Sequence, residues 1–168
     1  MHLFNHEFHD LKDLFLEQLK DIYDCENRLI DALPLMADAA TTPELKSAFN
    51  DHLAETRSQC ERLEKMFRFM KMEPERETCE GIKGLIDEGD EMIGAKGDDM
   101  VRDAALIAAA QKIEHYEMAS YGTLRTWAEH LGMDECARTL QGILDEEERT
   151  DKKLTQIAEA RINAMAHH

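Results

Sequence analysis

The stretch Ala110-Gln111-Lys112-Ile113-Glu114-His115-Tyr116-Glu117-Met118-Ala119-Ser120-Tyr121-Gly122-Thr123-Leu124 decides the reading of this chain. Steps of three and four residues pick out Ala110, Glu114, Glu117, Tyr121 and Leu124, then Ala128 and Leu131 beyond it. Side chains at that spacing share one face of an α-helix. The face is apolar at both ends and acidic in its middle, where a core calls for leucine.

Working outward, this helix starts near Asp98 or Asp99 and stops at Leu131, with Gly132 suited to the left-handed position that ends helices. Asp134 is expected to cap a further helix running to about Met165 on Leu140, Leu144, Leu154 and Ile157. Toward the N-terminus, a helix from about 10 to 40 begins at the N-cap candidate Asp10. Its apolar stripe is Leu11, Phe15, Leu19, Ile22, Leu29 and Leu33, and Pro34 should bend it near its end. Thr41-Thr42-Pro43-Glu44 stops that helix and starts the next, with Thr42 as N-cap and Pro43 in the first turn. The second helix follows Leu45, Phe49, Leu63 and Met66 to about Lys71, and Met72-Glu73-Pro74 ends it.

Residues 73–98 hold five of the eight glycines and fit only a short amphipathic helix, about 79–93, packing Ile82, Ile86 and Ile93. Two short connections thus flank one long one. Helices on either side of a short turn are antiparallel neighbours, and the long segment can traverse the bundle. The layout is a single domain over residues 1–168: an all-α, ferritin-like antiparallel four-helix bundle with a long crossover carrying a short fifth helix.

Composition agrees. In 168 residues the chain has 33% charged residues and only 3 prolines, and Val, Ile and aromatic runs that favour strands are absent. The formal charge of −16 argues against nucleic acid and anionic membrane surfaces as partners. No stretch is apolar enough to span a bilayer, and Met1-His2-Leu3-Phe4-Asn5 does not read as a leader, so the cytosol is the expected compartment. Cys25, Cys60, Cys79 and Cys136 stand singly, which predicts buried reduced thiols rather than a disulfide framework or zinc site. His167 and His168 carry no functional weight.

The acidic interruption recurs in every long helix. Glu26 falls among Ile22, Leu29 and Leu33. The second helix reads Ala48, His52, Glu55, Gln59, Leu63, Met66, and the last reads Leu140, Leu144, Glu147, Asp151, Leu154. Several ionised carboxylates buried together are strongly unfavourable without compensation. Arg28, Arg57, Lys112 and Arg149 fall off these stripes and cannot supply it. Two metal ions would, and an oxygen-rich set suits iron or manganese. The expected ligands are Glu26, Glu55, Glu114, Glu117, Glu147 and Asp151; Glu117 and Asp151 fit a supporting position as well. The competing reading is solvated helix faces in a shifted register, against which four coincident interruptions weigh.

Bundles of this type place one Glu on each of two helices and Glu-x-x-His on the other two. Here the second helix has the reverse, His52-x-x-Glu55, followed by Gln59, and the third has an additional carboxylate in Glu114-x-x-Glu117. His52 suits either metal ligation or the anchoring of Glu55. Gln59, Tyr23 and Tyr121 suit hydrogen bonds that hold carboxylates in place, and His115, about 100° round the helix from Glu114, suits a structural or interface role.

The runs Asp21-Ile22-Tyr23-Asp24-Cys25-Glu26, His52-Leu53-Ala54-Glu55-Thr56, Arg102-Asp103-Ala104-Ala105-Leu106-Ile107, Gln111-Lys112-Ile113-Glu114-His115-Tyr116-Glu117 and Glu146-Glu147 with Asp151 closely resemble the YciF-type ferritin-like stress proteins of bacteria, relatives of rubrerythrins. The resemblance covers about residues 11–158. It implies a dimer with a di-metal centre, made under general stress. Ile107, Met118 and Trp127 also give the third long helix more apolar positions than one core stripe needs, in keeping with a homodimer. The Cys₄ iron module of many rubrerythrins has no counterpart here, so the electron donor is left open. The expected function is a stress-associated protein with two iron or manganese ions reacting with peroxide or dioxygen. The alternative is a metal-binding or structural, partner-binding dimer without turnover.

Overall fold

Helix ends follow local capping chemistry in a computed structural model that describes residues 7–167; the leader reading at Met1–Asn5 and His168 lie outside those residues. The Asp10 carboxylate accepts the Asp13 N–H at 2.9 Å and opens α1, Leu11–Ala39. Thr42 and Pro43 open α2, Pro43–Phe69, as the sequence predicts, but the Thr42 hydroxyl makes no cap bond. A carboxylate from another helix takes over: Asp103 accepts the Thr41 and Thr42 N–H groups, both at 2.8 Å.

Helix α3 spans Glu80–Ile93, with Cys79 at its N-cap, and α4 spans Asp99–His130 after Asp98, whose side chain accepts the Met100 and Val101 N–H groups. After α4 the chain turns through Gly132 at φ +69°, with Met133 N–H bonded to Ala128 O and Gly132 N–H to Glu129 O. That double bond pattern places Met133 at the cap of α5, Asp134–Ile157, so Asp134 is the first helical residue rather than the predicted N-cap. Its charge still favours the positive end of the helix. The predicted run to Met165 is also modified: a π-turn over Ala158–Ile162 intervenes before the short α6, Asn163–Met165.

The Asp103 bonds bring the start of α4 to the start of α2, so the two run parallel, across the diagonal of a ring packed in the order α1, α2, α5, α4. The crossover must therefore return the length of the bundle. It is pinned at mid-height where Asp24 of α1 accepts the Cys79 N–H at 3.0 Å, and α3 then climbs until Asp90 and Ile93 share a surface hollow with Leu35 and Asp38. Asp24 is 3% exposed. Burial alone would raise its pKa, but Arg28, the Cys79 N–H and Arg76 outweigh that and hold it below the ordinary carboxylate range. This is the ferritin-like bundle that the chain's turns predict.

Phe15, Leu19, Ile22, Phe49, Leu63, Leu106, Leu124, Leu140, Ile143 and Leu154 are buried between the long helices, each contributing about 1.5–3 kcal/mol by removal from water. Ile82 seals α3 against the bundle, with Ile86 and Ile93 partly covered. Asp103 is the polar counterpart of these contacts. Asp103→Ala leaves two backbone N–H groups without their charged acceptor and is expected to cost about 2–3 kcal/mol in urea unfolding. An unchanged unfolding midpoint would contradict this role.

Candidate metal centre

At mid-height each long helix turns polar side chains inward. Glu26 comes from α1, His52 and Gln59 from α2, Glu114, Glu117 and Tyr121 from α4, and Glu147 from α5; none is more than 4% exposed. His52, Glu114, Glu117 and Glu147 each bring a ligating atom within 4.8 Å of the others. Glu26 borders this group: it accepts the Tyr121 hydroxyl and lies in contact with Glu117. The Gln59 amide donates to Glu147 and, at 3.1 Å, to Glu146, which is itself paired with Arg62.

Helical geometry explains the convergence. In α4, Glu114, Glu117 and Tyr121 follow the buried stripe that Ile113, Leu124 and Ala128 extend. In α2, His52, Thr56 and Gln59 are buried one turn apart, between Phe49 and Leu63.

The electrostatics are those of uncompensated acids. Burial pushes Glu26 up to about 7, although the Tyr121 hydroxyl and His52 work in the opposite direction. Burial, then the charges of Glu147, Glu26 and Glu114, raises Glu117 well above the usual carboxylate range. Glu147 is raised likewise, by burial and by Glu114 and Glu26. For His52 burial favours the neutral ring, but Glu114, Glu26 and Glu55 outweigh it and raise its pKa.

Lone pairs give the test of fit for a metal. Glu26 Oε2, Glu114 Oε2, Glu117 Oε2, Glu147 Oε2, Gln59 Oε1 and both His52 ring nitrogens are buried without a hydrogen-bond partner among the described residues. His52 Nε2 lies 3.1 Å from Glu114 Oε1, yet poorly aligned for a hydrogen bond. Buried polar atoms are ordinarily satisfied, and here they are orphaned together. A cation placed among them satisfies oxygen and imidazole donors at once, so the residues fit a metal ion.

Two of the expected ligands stand apart. Glu55 is half-buried at the rim, where its Oε2 receives the Thr150 hydroxyl at 3.4 Å. Asp151 turns toward the α4–α5 surface, accepting from Gln111 at 3.0 Å with His115 Nε2 at 3.5 Å. Thr56 and Thr150 occupy the buried positions one residue away. Tyr23 points elsewhere as well, donating to Glu64 at 3.1 Å and packing its ring edge-on to Phe67. His52, given two readings in the sequence, belongs to the converging group.

Of the residues expected on a dimer face, Ile107 is consumed by the chain's own core, and Met118 and Trp127 are half-buried. All four cysteines are buried and free. No described helix is long and apolar enough to cross a membrane.

Comparison with known proteins fits this picture. The E. coli K12 protein YciF is 43% identical over 159 residues, covering 94% of this chain and 96% of its own. The crystal structure of that stress protein superposes with a TM-score of 0.89 over 93% of this chain and 99% of its own. YcfI of Rhodopseudomonas palustris, described as a structural protein, is 42% identical with a TM-score of 0.87, over 91% and 98% of the two chains. A family model described as a domain of unknown function, DUF892, matches residues 10–167. The chain therefore belongs to the DUF892 family, together with the E. coli stress protein YciF.

Proposed function

We propose that this protein is a stress-associated di-metal carboxylate protein that binds two iron or manganese ions and reacts with peroxide or dioxygen. The observation that carries the reading is the set of orphaned oxygens and imidazole nitrogens converging from four helices. Four carboxylates, from Glu26, Glu114, Glu117 and Glu147, balance the charge of two divalent ions. His52 adds a nitrogen donor, and the charge of Glu55 at the rim acts on its ring. Relatedness to a protein described as a stress protein supports this reading.

A bound pair of redox-active ions supplies two-electron chemistry toward an O–O bond. The chain's own residues supply the rest. The Tyr121 hydroxyl holds Glu26 in one orientation, and the Gln59 amide, backed by Glu146 and Arg62, holds Glu147. Leu63, Leu124 and Ile143 help keep bulk water away, which strengthens every charge interaction inside. Homodimerisation belongs to the same proposal, and sedimentation at micromolar concentration checks it.

The expected result is two metal ions per chain after loading with iron or manganese, and hydrogen peroxide consumption that the metal-free protein lacks. Retention of both ions without consumption favours metal binding without turnover. Failure to retain any ion through dialysis favours the structural role ascribed to the R. palustris relative.

A further inference from the structure

A second chain of polar groups leads from the carboxylate cluster to the surface, and none of its members is needed to bind metal. Cys25 Sγ lies 3.9 Å from Glu117 Oε1, and Cys79 is held at the same turn of α1 by its N–H bond to the neighbouring Asp24 at 3.0 Å. Cys79 Sγ lies 3.0 Å from the Tyr116 hydroxyl, which donates to Asp21 Oδ2 at 3.2 Å. Asp21 lines an open cleft of about 490 Å³, whose wall includes Leu14, Gln18, Glu77, Thr78 and Gly81.

The arrangement depends on a close approach. A Cβ on Gly81 would fall 2.7 Å from Tyr116 Cε2 and 2.9 Å from its hydroxyl, so the absent side chain is what seats the ring beside Cys79. Cys79 also occupies the N-cap of α3, where backbone N–H groups favour a thiolate. Burial pushes the other two thiols up, Cys60 to about 12 and Cys136 above its ordinary value.

We propose that Cys25 and Cys79 are the two-electron donor to the oxidant at the carboxylate centre, closing a reversible Cys25–Cys79 disulfide. This rests on the peroxide reading above. The reaction balances as one peroxide and two thiols giving one disulfide and two waters. The O–O bond breaks, the S–S bond forms, and the two thiol protons end on the two peroxide oxygens. Cys25 stands beside Glu117 at the edge of the carboxylate centre, while Tyr116 and Asp21 connect Cys79 to the cleft. Burial raises Asp21 above the usual carboxylate range despite its bonds to Cys79 and Tyr116, which suits it to exchange protons with water. A dithiol reductant resets the pair, as is usual for transient disulfides in a reducing compartment.

The test uses the full chain, manganese- or iron-loaded, treated with one equivalent of hydrogen peroxide and trapped with iodoacetamide under denaturing conditions. The expected result is loss of two of the four thiols, a mass lower by two hydrogen atoms, and a Cys25–Cys79 cross-linked peptide that dithiothreitol abolishes. The double variant Cys60→Ser/Cys136→Ser should keep this signature and Cys79→Ser should lose it. Peroxide consumption with all four thiols intact overturns the dithiol proposal and leaves the di-metal reading standing. Equal disulfide formation in the metal-free protein, pairing with Cys60 or Cys136, or oxygen addition to sulfur also overturns it. Absence of both consumption and disulfide removes the peroxide reading itself. The wild-type mass and peptide map decide among these even if a variant folds poorly.

Discussion

Replacing Glu114 or Glu147 by alanine is expected to release at least one metal ion per chain while leaving the helices standing. Glu114 faces His52, and Glu147 lies against Gln59, so each lies inside the group whose ligating atoms converge within 4.8 Å. Changes merely beside metal ligands already cost about 10–100-fold in affinity, so loss of a central carboxylate should cost at least about 100-fold. Fold stability responds differently. Each substitution opens a cavity, but it also removes a desolvated acid whose neighbours are acids, and the two effects oppose one another. Metal content by elemental analysis should therefore fall sharply in variants whose metal-free helical circular dichroism matches that of the wild type. Asp51→Ala, an exposed change on α2, serves as the control and should keep both ions. If Glu114→Ala and Glu147→Ala both retain two ions per chain, the ligand assignment is wrong.

The backbone of this argument was legible in the sequence, because helix periodicity and turn chemistry are local. Asp10, Thr42, Pro43, Asp98 and Gly132 mark ends that the structure honours to within a residue. The buried acidic cluster was legible at Glu26, Glu114, Glu117 and Glu147, which interrupt stripes whose flanks are plainly apolar. It was ambiguous at Glu55 and Asp151 for a physical reason. At 3.6 residues per turn, a step of three or four from His52 serves equally well, and only packing chooses between residues 55 and 56. Thr56 can go inside because its hydroxyl bonds the His52 carbonyl at 2.9 Å, leaving the charged residue at the rim. Thr150 takes the inner place beside Asp151, its hydroxyl donating to Glu55 Oε2 at 3.4 Å.

Other functional polar residues left no local trace. Asp24 and Asp103 read as ordinary helix surface, since their partners lie 55 and 61–62 residues away in sequence. Tyr23 belongs with them: its distance from Glu26 in sequence is short, but three residues along α1 suffice to aim its hydroxyl at Glu64 instead. The thiol route from Glu117 to the cleft was hidden for the same reason. Cys25, Cys79 and Tyr116 come from α1, the crossover and α4, and only the fold brings them together.

Metal should change not only the stability of this protein but the sign of its response to pH. In the metal-free state Glu26, Glu117 and Glu147 all have raised pKa values, and so does His52. A group raised on folding contributes stability below its unfolded pKa and loses it as pH climbs through the folded value. For Glu26, moving from 4.5 to about 7, that contribution is on the order of 3 kcal/mol. Its loss falls between mildly acidic and neutral pH, and His52 moves stability in the same direction. Asp24 has the opposite sign, but its lowered pKa confines its effect to more acidic solution. The metal-free protein should thus melt at a lower temperature at pH 7.5 than at pH 5. Bound ions take the place of the displaced protons, and protons compete with them at the lower pH. At free metal a thousandfold above its dissociation constant, linkage adds about 4 kcal/mol, a rise in melting temperature on the order of 10 °C for a domain of this size. Four thermal melts, metal-free and manganese-loaded at each pH, make the comparison. A rise on loading that is no greater at pH 7.5 than at pH 5 means that the buried acids are not the groups that hold the metal.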